Sequence, residues 1–155
     1  MITRRLQKEV EFALKHFPVA VILGARQVGK TTLALSVTNK LKKKNIYLDL
    51  ENPYDKDKLH DAYSFLDDNK DKLVVIDEVQ QMPELFSLLR SLTDKHRKPG
   101  RFLLTGSASP ELIKGASQTL AGRAHYMQLQ GISLLESGEN ISLKRHWFRE
   151  DFLNC

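Results

Sequence analysis

The chain has 155 residues and a mass of 17.8 kDa, a length that suits a single domain with its own hydrophobic core. Hydrophobic residues make up 41% and charged residues 28% of the sequence, and this balance excludes collagen-like, coiled-coil and disordered chains. Lys and Arg number 24 against 19 Asp and Glu, so the net charge of +5 permits an acidic partner without requiring one.

Cysteine usage and hydropathy indicate the compartment. Cys155 is the only cysteine, so no intramolecular disulfide and no cysteine-based metal site can form, as is usual in a reducing compartment. No apolar run reaches the roughly 18 residues of a membrane span, and residues 1–10 are charged where a secretory signal is apolar. We therefore expect a cytoplasmic protein without a membrane partner.

The first half of the chain alternates helical and strand-like segments. Apolar residues at helical spacing predict a helix over residues 4–16, and a β-branched apolar run predicts a buried strand over residues 19–23. A second helix is predicted over residues 31–43 and a second strand over residues 46–50. Residues 57–69 then carry an apolar stripe typical of a surface helix.

The second half continues the same alternation. Strands are predicted over residues 73–76 and 101–105, with a helix between them that begins at Pro83. Ser109 and Pro110 predict the start of another helix with Ser109 as its N-cap, and residues 125–129 are a candidate fifth strand. This order predicts an α/β domain in which helices cover a mostly parallel sheet of about five strands.

The domain boundary is expected near residue 136, so that residues 1–136 form the core and residues 137–155 a C-terminal tail. Residues 144–149 of this tail mix cations with aromatic side chains, and two interpretations stay open: a solvated tail, or nucleic-acid binding through phosphate contacts and base stacking. The lysines at 42–44 are interpreted as cations that favour the last turn of the preceding helix.

The strongest motif lies at residues 24–31, which match the pattern of Gly, four residues, then Gly-Lys-Ser/Thr. It stands between a predicted strand and a predicted helix, which is the context that phosphate binding requires. The glycines let the backbone amides face a phosphate, and the helix adds the positive end of its dipole. The expected nucleotide-binding residues are Gly24, Ala25, Arg26, Gln27, Val28, Gly29, Lys30, Thr31 and Thr32.

Within this motif the side chains have separate expected roles. Lys30 would reach the β and γ oxygens as a point charge, and the Thr31 hydroxyl would ligate magnesium. Thr32 is either a contact to the α phosphate or an ordinary helix residue. Arg26 is expected to face solvent.

Two acids end the third predicted strand. Asp77 lies where open α/β sheets bind ligands and is well placed to hold magnesium, directly or through water. Glu78 beside it could orient and deprotonate a water for attack on the γ phosphate, or be only an exposed acid. Asp49 ends the second strand and either supports the site or caps a turn.

Three further residues are candidates for catalysis. The hydroxyls of Thr105 and Ser107, at the end of the fourth strand, could contact the γ phosphate or the attacking water, or simply form a turn. Arg123 could supply positive charge to the transition state, in its own subunit or in a neighbouring one.

Four stretches together resemble one family: Gly-Ala-Arg-Gln-Val-Gly-Lys-Thr-Thr at 24–32, Val-Ile-Asp-Glu-Val-Gln at 75–80, Leu-Leu-Thr-Gly-Ser at 103–107 and Leu-Ala-Gly-Arg at 120–123. They are similar, in the same order, to the P-loop ATPases of bacteria and archaea that are related to the AAA superfamily and usually carry a C-terminal domain of unknown function. The resemblance covers almost the whole chain.

The resemblance implies a three-layer P-loop NTPase fold with strand order 5-1-4-3-2. It also implies ATP as ligand, magnesium at Thr31 and Asp77, Glu78 as base and a polar sensor at Ser107 or Thr105. Residues 147–153 depart from the Trp-x-Arg-Gly-Gly-Phe-Pro stretch that leads many members into their second domain. The chain is therefore expected to represent the N-terminal ATPase core.

Other functions remain to be separated from ATP hydrolysis. A GTPase is disfavoured because Asp77 is followed by Glu-Val-Gln and because no Asn-Lys-x-Asp stretch occurs. A small-molecule kinase would use the same loop but usually needs arginines on a mobile lid. A regulatory or DNA-associated module would use ATP as a switch with slow turnover. The sequence favours a magnesium-dependent ATPase that forms ADP and phosphate, and leaves the oligomeric state open.

Overall fold

The computed structural model of the protein describes residues 5–131. The predicted boundary at residue 136 and the tail at residues 137–155, with its basic and aromatic group, lie outside the described residues. Within the described part, the elements follow in chain order as α1 Leu6–His16, β1 Val19–Gly24, α2 Lys30–Lys40, β2 Asn45–Asp49, α3 Pro53–Asp57, α4 Ala62–Asp68, β3 Leu73–Asp77, α5 Leu85–Lys95, β4 Phe102–Ser107, α6 Pro110–Thr119 and β5 Ala124–Gln128. A short 3₁₀ turn, Val79–Gln81, follows β3.

The five strands form one sheet in the order β2-β3-β4-β1-β5, and every neighbouring pair is parallel. This is the predicted order 5-1-4-3-2 counted from the other side, so the fold prediction is confirmed. Parallel strands bring their carboxyl ends to the same edge of the sheet. In register, Gly24 pairs with Ser107 and Asp49 with Asp77, so residues from distant parts of the sequence meet at that edge.

Helices cover the sheet on both faces, which gives three layers. All six residues of β1 are buried, as expected for a parallel strand between two helical layers. Alternate residues serve opposite faces: Val21 packs in the core beneath α5 and α6, whereas Ile22 packs in the core beneath α1 and α2. Both faces of the sheet are therefore covered by packed helices, which leaves the carboxyl edge to form a functional site.

The predicted single helix over residues 57–69 is wrong in extent, because the shorter helix α4 lies within that range and α3 ends where the helix was predicted to begin. The Asn52 side chain accepts a hydrogen bond from the Tyr54 backbone N–H at 3.0 Å and starts α3. The Asp61 side chain accepts one from the Ser64 N–H at 3.2 Å and starts α4. Because the Asp61 cap lies inside the predicted helix, a new helix begins there. The apolar stripe over residues 57–69 predicts that Tyr63 faces inward, but its side chain is exposed.

The lysines at 42–44 also lie differently from the prediction. Helix α2 ends at Lys40, so these lysines belong to the connection that leads to β2 and not to the last helical turn. Lys43 Nζ instead donates to the carbonyl of Gly100 at 2.8 Å. Among residues 5–131, no helix has both the length and the apolar character needed to cross a lipid bilayer.

Candidate functional site

The loop between β1 and α2 turns sharply because of its backbone conformations. Gly29, the last residue before α2, has φ of 95°, a value that residues with a side chain rarely adopt. Gln27 has a left-handed φ of 62°, which is uncommon for a residue other than glycine. At the start of the loop, a Cβ on Gly24 would lie 2.5 Å from the Leu129 carbonyl oxygen. The two glycines are thus required for different reasons, one for its φ and the other for a close backbone approach.

Lys30 lies at the mouth of this loop and is 4% exposed. Its Nζ donates to the carbonyl oxygens of Gly24 at 3.1 Å and Ala25 at 2.8 Å. Burial lowers the pKa of Lys30, and the negative charges of Glu78 and Asp77 oppose that shift. Neutral carbonyls are weaker partners for an ammonium group than phosphate oxygens, so the charge is available to an anion in the loop.

Asp77 is the acceptor for hydroxyl groups from three elements. Its Oδ2 accepts from the Thr31 hydroxyl at 2.6 Å and from the Tyr47 hydroxyl at 2.5 Å. Its Oδ1 accepts from the Thr105 hydroxyl. The carboxyl group is 3% exposed, so these contacts replace the water that it loses on burial. Helix α2, β2 and β4 are thereby joined at the end of β3.

The predicted magnesium ligands, Thr31 and Asp77, are brought together by this network. A hydroxyl and a carboxylate oxygen lie 2.6 Å apart at the base of the loop, and such hard oxygen ligands suit magnesium. Within residues 5–131 no three His, Cys, Asp or Glu side chains group as a complete metal site. Magnesium in nucleotide sites commonly takes one or two protein oxygens together with phosphate oxygens and water, so the residues fit such an ion.

Glu78 follows in a left-handed conformation with φ of 57°. Its backbone N–H donates to Asp77 Oδ1 at 3.1 Å and to Thr105 Oγ1 at 3.2 Å, which fixes this unusual backbone. Its carboxylate accepts a hydrogen bond from Gln80 Nε2, and Gln80 Oε1 accepts from the Ser107 N–H at 3.4 Å. Hydrogen bonds therefore hold both the backbone N–H and the carboxylate of Glu78.

The two hydroxyls of β4 occupy different surroundings. Thr105 is fully buried, and its hydroxyl both donates to Asp77 and accepts from the Glu78 N–H. Ser107 is partly exposed at the end of the strand and pairs in register with Gly24. Of the two, Ser107 lies beside the loop, whereas Thr105 supports the acids of β3.

Arg123 is not brought to the loop. It precedes β5, and its carbonyl accepts from the Val19 N–H at 3.1 Å, at the amino edge of the sheet. Its guanidinium donates to both carboxylate oxygens of Asp94, at 2.7 and 3.0 Å. The loop follows the other end of β1, so the two lie at opposite edges of the sheet. A role for Arg123 in the site of its own chain has no support in this position.

Two other predicted residues lie near the loop without joining the network around Asp77. Arg26 is exposed, as expected, with its guanidinium 3.7 Å from the Glu51 carboxylate. Asp49 accepts from the Glu51 N–H at 2.9 Å and so forms the turn after β2. Of the two interpretations of Asp49, the turn is the one that the hydrogen bonds favour.

Tyr47 and Gln80 are the residues that sequence reasoning missed. Tyr47 reads as an ordinary strand residue, and only the pairing of β2 with β3 brings its hydroxyl to Asp77. Burial raises the pKa of Tyr47, and its hydrogen bond to Asp77 raises it further. Gln80 belongs to the stretch at 75–80 that resembles the family. Its position two residues after Glu78 was therefore a signal by which the sequence could have identified it.

Comparison with known proteins places this geometry in a family. A family described as AAA domain matches residues 16–137, which includes the loop, both acids of β3 and the end of β4. The chain belongs to the AAA domain family. Membership supports a nucleotide-binding, ATPase-like role for the site, and it agrees with the resemblance seen in the sequence.

Two curated relatives of this AAA domain chain are uncharacterised proteins, Mb2031c of Mycobacterium bovis and Rv2008c of Mycobacterium tuberculosis. Each is 40% identical over 137 residues, which is 88% of this chain and 30% of the relative. The chain thus spans less than a third of the length of these relatives.

Three solved structures share the fold. The Walker-type ATPase PABY2304 of Pyrococcus abyssi has a TM-score of 0.62 at 20% identity, covering 83% of this chain and 53% of that protein. The DnaC helicase loader has a TM-score of 0.57 at 14% identity, covering 84% and 93%. A DNA replication initiation factor has a TM-score of 0.54 at 16% identity, covering 83% and 44%. At these identities the likeness concerns the fold alone.

Proposed function

We propose that the AAA domain chain binds ATP with magnesium and hydrolyses it to ADP and phosphate. The observation that carries the proposal is the hydrogen bond between Thr31 and Asp77 at the base of the loop, whose partners are next to Lys30 and Glu78 in the chain. A cation, two hard oxygen ligands and a carboxylate are the groups that phosphoryl transfer to water needs.

Binding begins at the loop. The backbone amides and the start of α2 attract the β and γ phosphates, and Lys30 exchanges the carbonyls of Gly24 and Ala25 for phosphate oxygens. Thr32 is exposed on the first turn of α2 and is proposed to contact the α phosphate. Gln27 and Val28 complete the loop through their backbone.

Thr31 and Asp77 would hold the magnesium ion, which when bound neutralises charge on the phosphates. Tyr47 and Thr105 would then keep the Asp77 carboxylate oriented, because each donates to one of its two oxygens.

Glu78 is the proposed general base. Its carboxylate would accept a proton from the water that attacks the γ phosphorus, and it is the only acid directly next to the metal-holding Asp77 in the chain. Ser107, beside the loop, is the proposed contact to the γ phosphate or to that water. Thr105 would act through Asp77 instead of touching the nucleotide.

Phosphate release from ATP in the presence of magnesium tests the base. We expect Glu78→Gln to lower turnover by about 100-fold or more, because the amide cannot accept the proton. ADP affinity should stay near that of the parent chain. Glu84→Gln is the matched control, since Glu84 is an exposed acid at the same edge of the sheet, and its turnover should be unchanged. Equal turnover in Glu78→Gln and the parent chain would contradict the assignment.

A second candidate is a DNA-associated module in which ATP is a switch and turnover is slow. It is favoured by the fold shared with a DNA replication initiation factor and a helicase loader. The same assay with single-stranded and double-stranded DNA separates the two, because a switch of this kind would release phosphate only when DNA is added.

We propose that Arg123 acts in the site of a neighbouring chain, which requires the protein to form oligomers. Its place at the amino edge means that it could approach a nucleotide only in the site of a neighbouring chain. Turnover per chain that rises with protein concentration, and fails to rise in Arg123→Ala, would support that role.

A further inference from the structure

The amino edge of the sheet, opposite the loop, carries a dense group of positive side chains. We call it the basic edge and define it as Lys42, Lys43, Lys44, Lys70, Lys72 and Lys98. These residues come from three connections: the one before β2, the one before β3 and the one before β4. No part of the proposed ATPase site uses them.

Backbone and side-chain contacts hold the three connections together. The Leu73 N–H donates to the Lys44 carbonyl at 2.9 Å, which places Lys72 beside Lys44. Lys43 Nζ donates to the Gly100 carbonyl at 2.8 Å, and Lys98 Nζ donates to Asp71 at 3.1 Å. Because β2, β3 and β4 are successive neighbours about 4.8 Å apart, the lysines line one continuous edge.

Of the six charges of the basic edge, one, that of Lys98, is paired with an acid within the described structure. Residues 40–45, 69–73 and 96–101 contain nine Lys and Arg and one acid, Asp71, which is already paired with Lys98. Lys42 and Lys44 are exposed and form no ion pair among residues 5–131. Burial lowers the pKa of Lys43, and the positive charges of Arg101 and Lys98 lower it further, as crowding of like charges requires.

The carboxyl ends of β2 and β3 have the reverse composition. Residues 49–57 and 77–84 contain seven acids and one lysine, Lys56. Along these two strands, charge of opposite sign is therefore separated between the two edges of the sheet. An extended polyanion is attracted to the basic edge and repelled from the acidic ends of β2 and β3.

We propose that the basic edge binds the phosphodiester backbone of nucleic acid without reading its bases. Repeated lysines along a line match repeated phosphates, and each contact releases counterions. None of the exposed large apolar side chains in the described residues lies in the three connections, so the edge offers neither an apolar anchor for lipid nor an aromatic platform for bases. With lipid insertion and base stacking excluded, contact with the phosphodiester backbone is the mode of binding that the basic edge supports.

Fluorescence anisotropy with labelled single-stranded and double-stranded DNA, over a range of salt concentrations, tests the proposal. The full chain with Lys42→Glu, Lys44→Glu and Lys70→Glu together should bind DNA at least about tenfold more weakly than the parent chain at low salt. The slope of log affinity against log salt should become shallower by about 2 to 3 on duplex DNA, since about 0.9 is lost for each phosphate contact.

The matched control reverses three exposed lysines elsewhere, Lys8→Glu, Lys56→Glu and Lys114→Glu, and so has the same net charge. It should bind DNA nearly as well as the parent chain. ADP affinity and thermal unfolding of both triple variants report whether the fold is kept, and they make this test independent of the proposed ATPase activity.

Three results would overturn the proposal. Equal loss of DNA binding in the two triple variants would mean that net charge and not the basic edge is responsible. Unchanged binding in the basic-edge variant, with loss in a variant reversed at Lys144, Arg145 and Arg149, would assign DNA binding to the tail. Absence of DNA binding by the parent chain, with binding to vesicles of anionic lipid, would assign the edge to a membrane surface.

Discussion

Three hydroxyl groups converge on the Asp77 carboxylate, and this single residue connects the loop to the rest of the sheet. Thr31 and Asp77 were predictable from the sequence, since a Gly-Lys-Thr end of a loop and an acid after an apolar strand are both local patterns. Tyr47 was not, because its contact with Asp77, 30 residues further along the chain, depends on the register between β2 and β3. The sequence therefore predicts the groups that are proposed to touch the ligand better than those that orient them.

Nucleotide affinity should fall on the alkaline side because of Lys30. Burial lowers the pKa of this lysine below its ordinary 10.5, and only the protonated form attracts phosphate. Affinity is thus complete below the lowered pKa and is lost as pH rises through it. The pKa of Tyr47 is raised, so its hydroxyl does not ionise ahead of Lys30 and cause the same loss. Titration of ADP binding from about pH 7 to about pH 10.5 measures the effect.

Lys30→Arg is the control for this pH profile, since a guanidinium stays charged over the whole range. The alkaline fall should be absent from Lys30→Arg, even where its overall affinity is lower. A fall of the same midpoint in both proteins would mean that another group is responsible.

Gly24 and Gly115 should respond in opposite directions to substitution by alanine. In Gly24→Ala the new methyl would meet the Leu129 carbonyl at 2.5 Å, so we expect about 1 to 3 kcal/mol of lost stability. In Gly115→Ala the methyl has no neighbour within 4 Å and lies inside α6, so a gain of up to about 1 kcal/mol is expected. Urea unfolding measures both, and a stable Gly24→Ala would show that the loop does not need the close approach.

At the level of elements, the strands were predicted within a residue or two and the helices less accurately. The three central strands, β1, β3 and β4, are buried apolar runs that leave little choice, because a parallel strand there is covered on both faces. Helix ends depend on single hydrogen bonds from polar side chains, as at Asn52 and Asp61, and such bonds compete with solvent. The sequence contained both caps, but periodicity alone extended the helix across the second one.

Ser109 was predicted as the N-cap of α6, and the structure confirms it with a hydrogen bond from the Leu112 N–H to its hydroxyl at 3.2 Å. Ser109→Ala should cost about 1 kcal/mol, because one helical N–H loses its acceptor. Ser109→Asp keeps an acceptor and adds a negative charge at the helix start, so its stability should match the parent chain. Thermal unfolding compares the three, and equal loss in both variants would assign the effect to packing.

On the scale of the whole molecule, the sheet places the two proposed sites at opposite edges. The family resemblance implied the strand order, and with it the meeting of the loop, β3 and β4. The sequence did not reveal that Arg123 and the lysines at 42–44 share the far edge, because that follows from where each strand begins in the folded sheet. A sequence shows which residues are charged, but only the topology of the folded sheet shows at which edge they lie.

Binding of nucleotide by the loop is the central claim, and calorimetric titration of magnesium and ADP into the chain tests it most directly. The parent chain and Lys114→Ala, which removes an exposed lysine on α6, should bind ADP with equal affinity. Lys30→Ala should bind at least about tenfold more weakly, because the charge-assisted hydrogen bonds to phosphate are lost. ADP affinity unchanged in a folded Lys30→Ala would contradict the claim that this loop holds the phosphates.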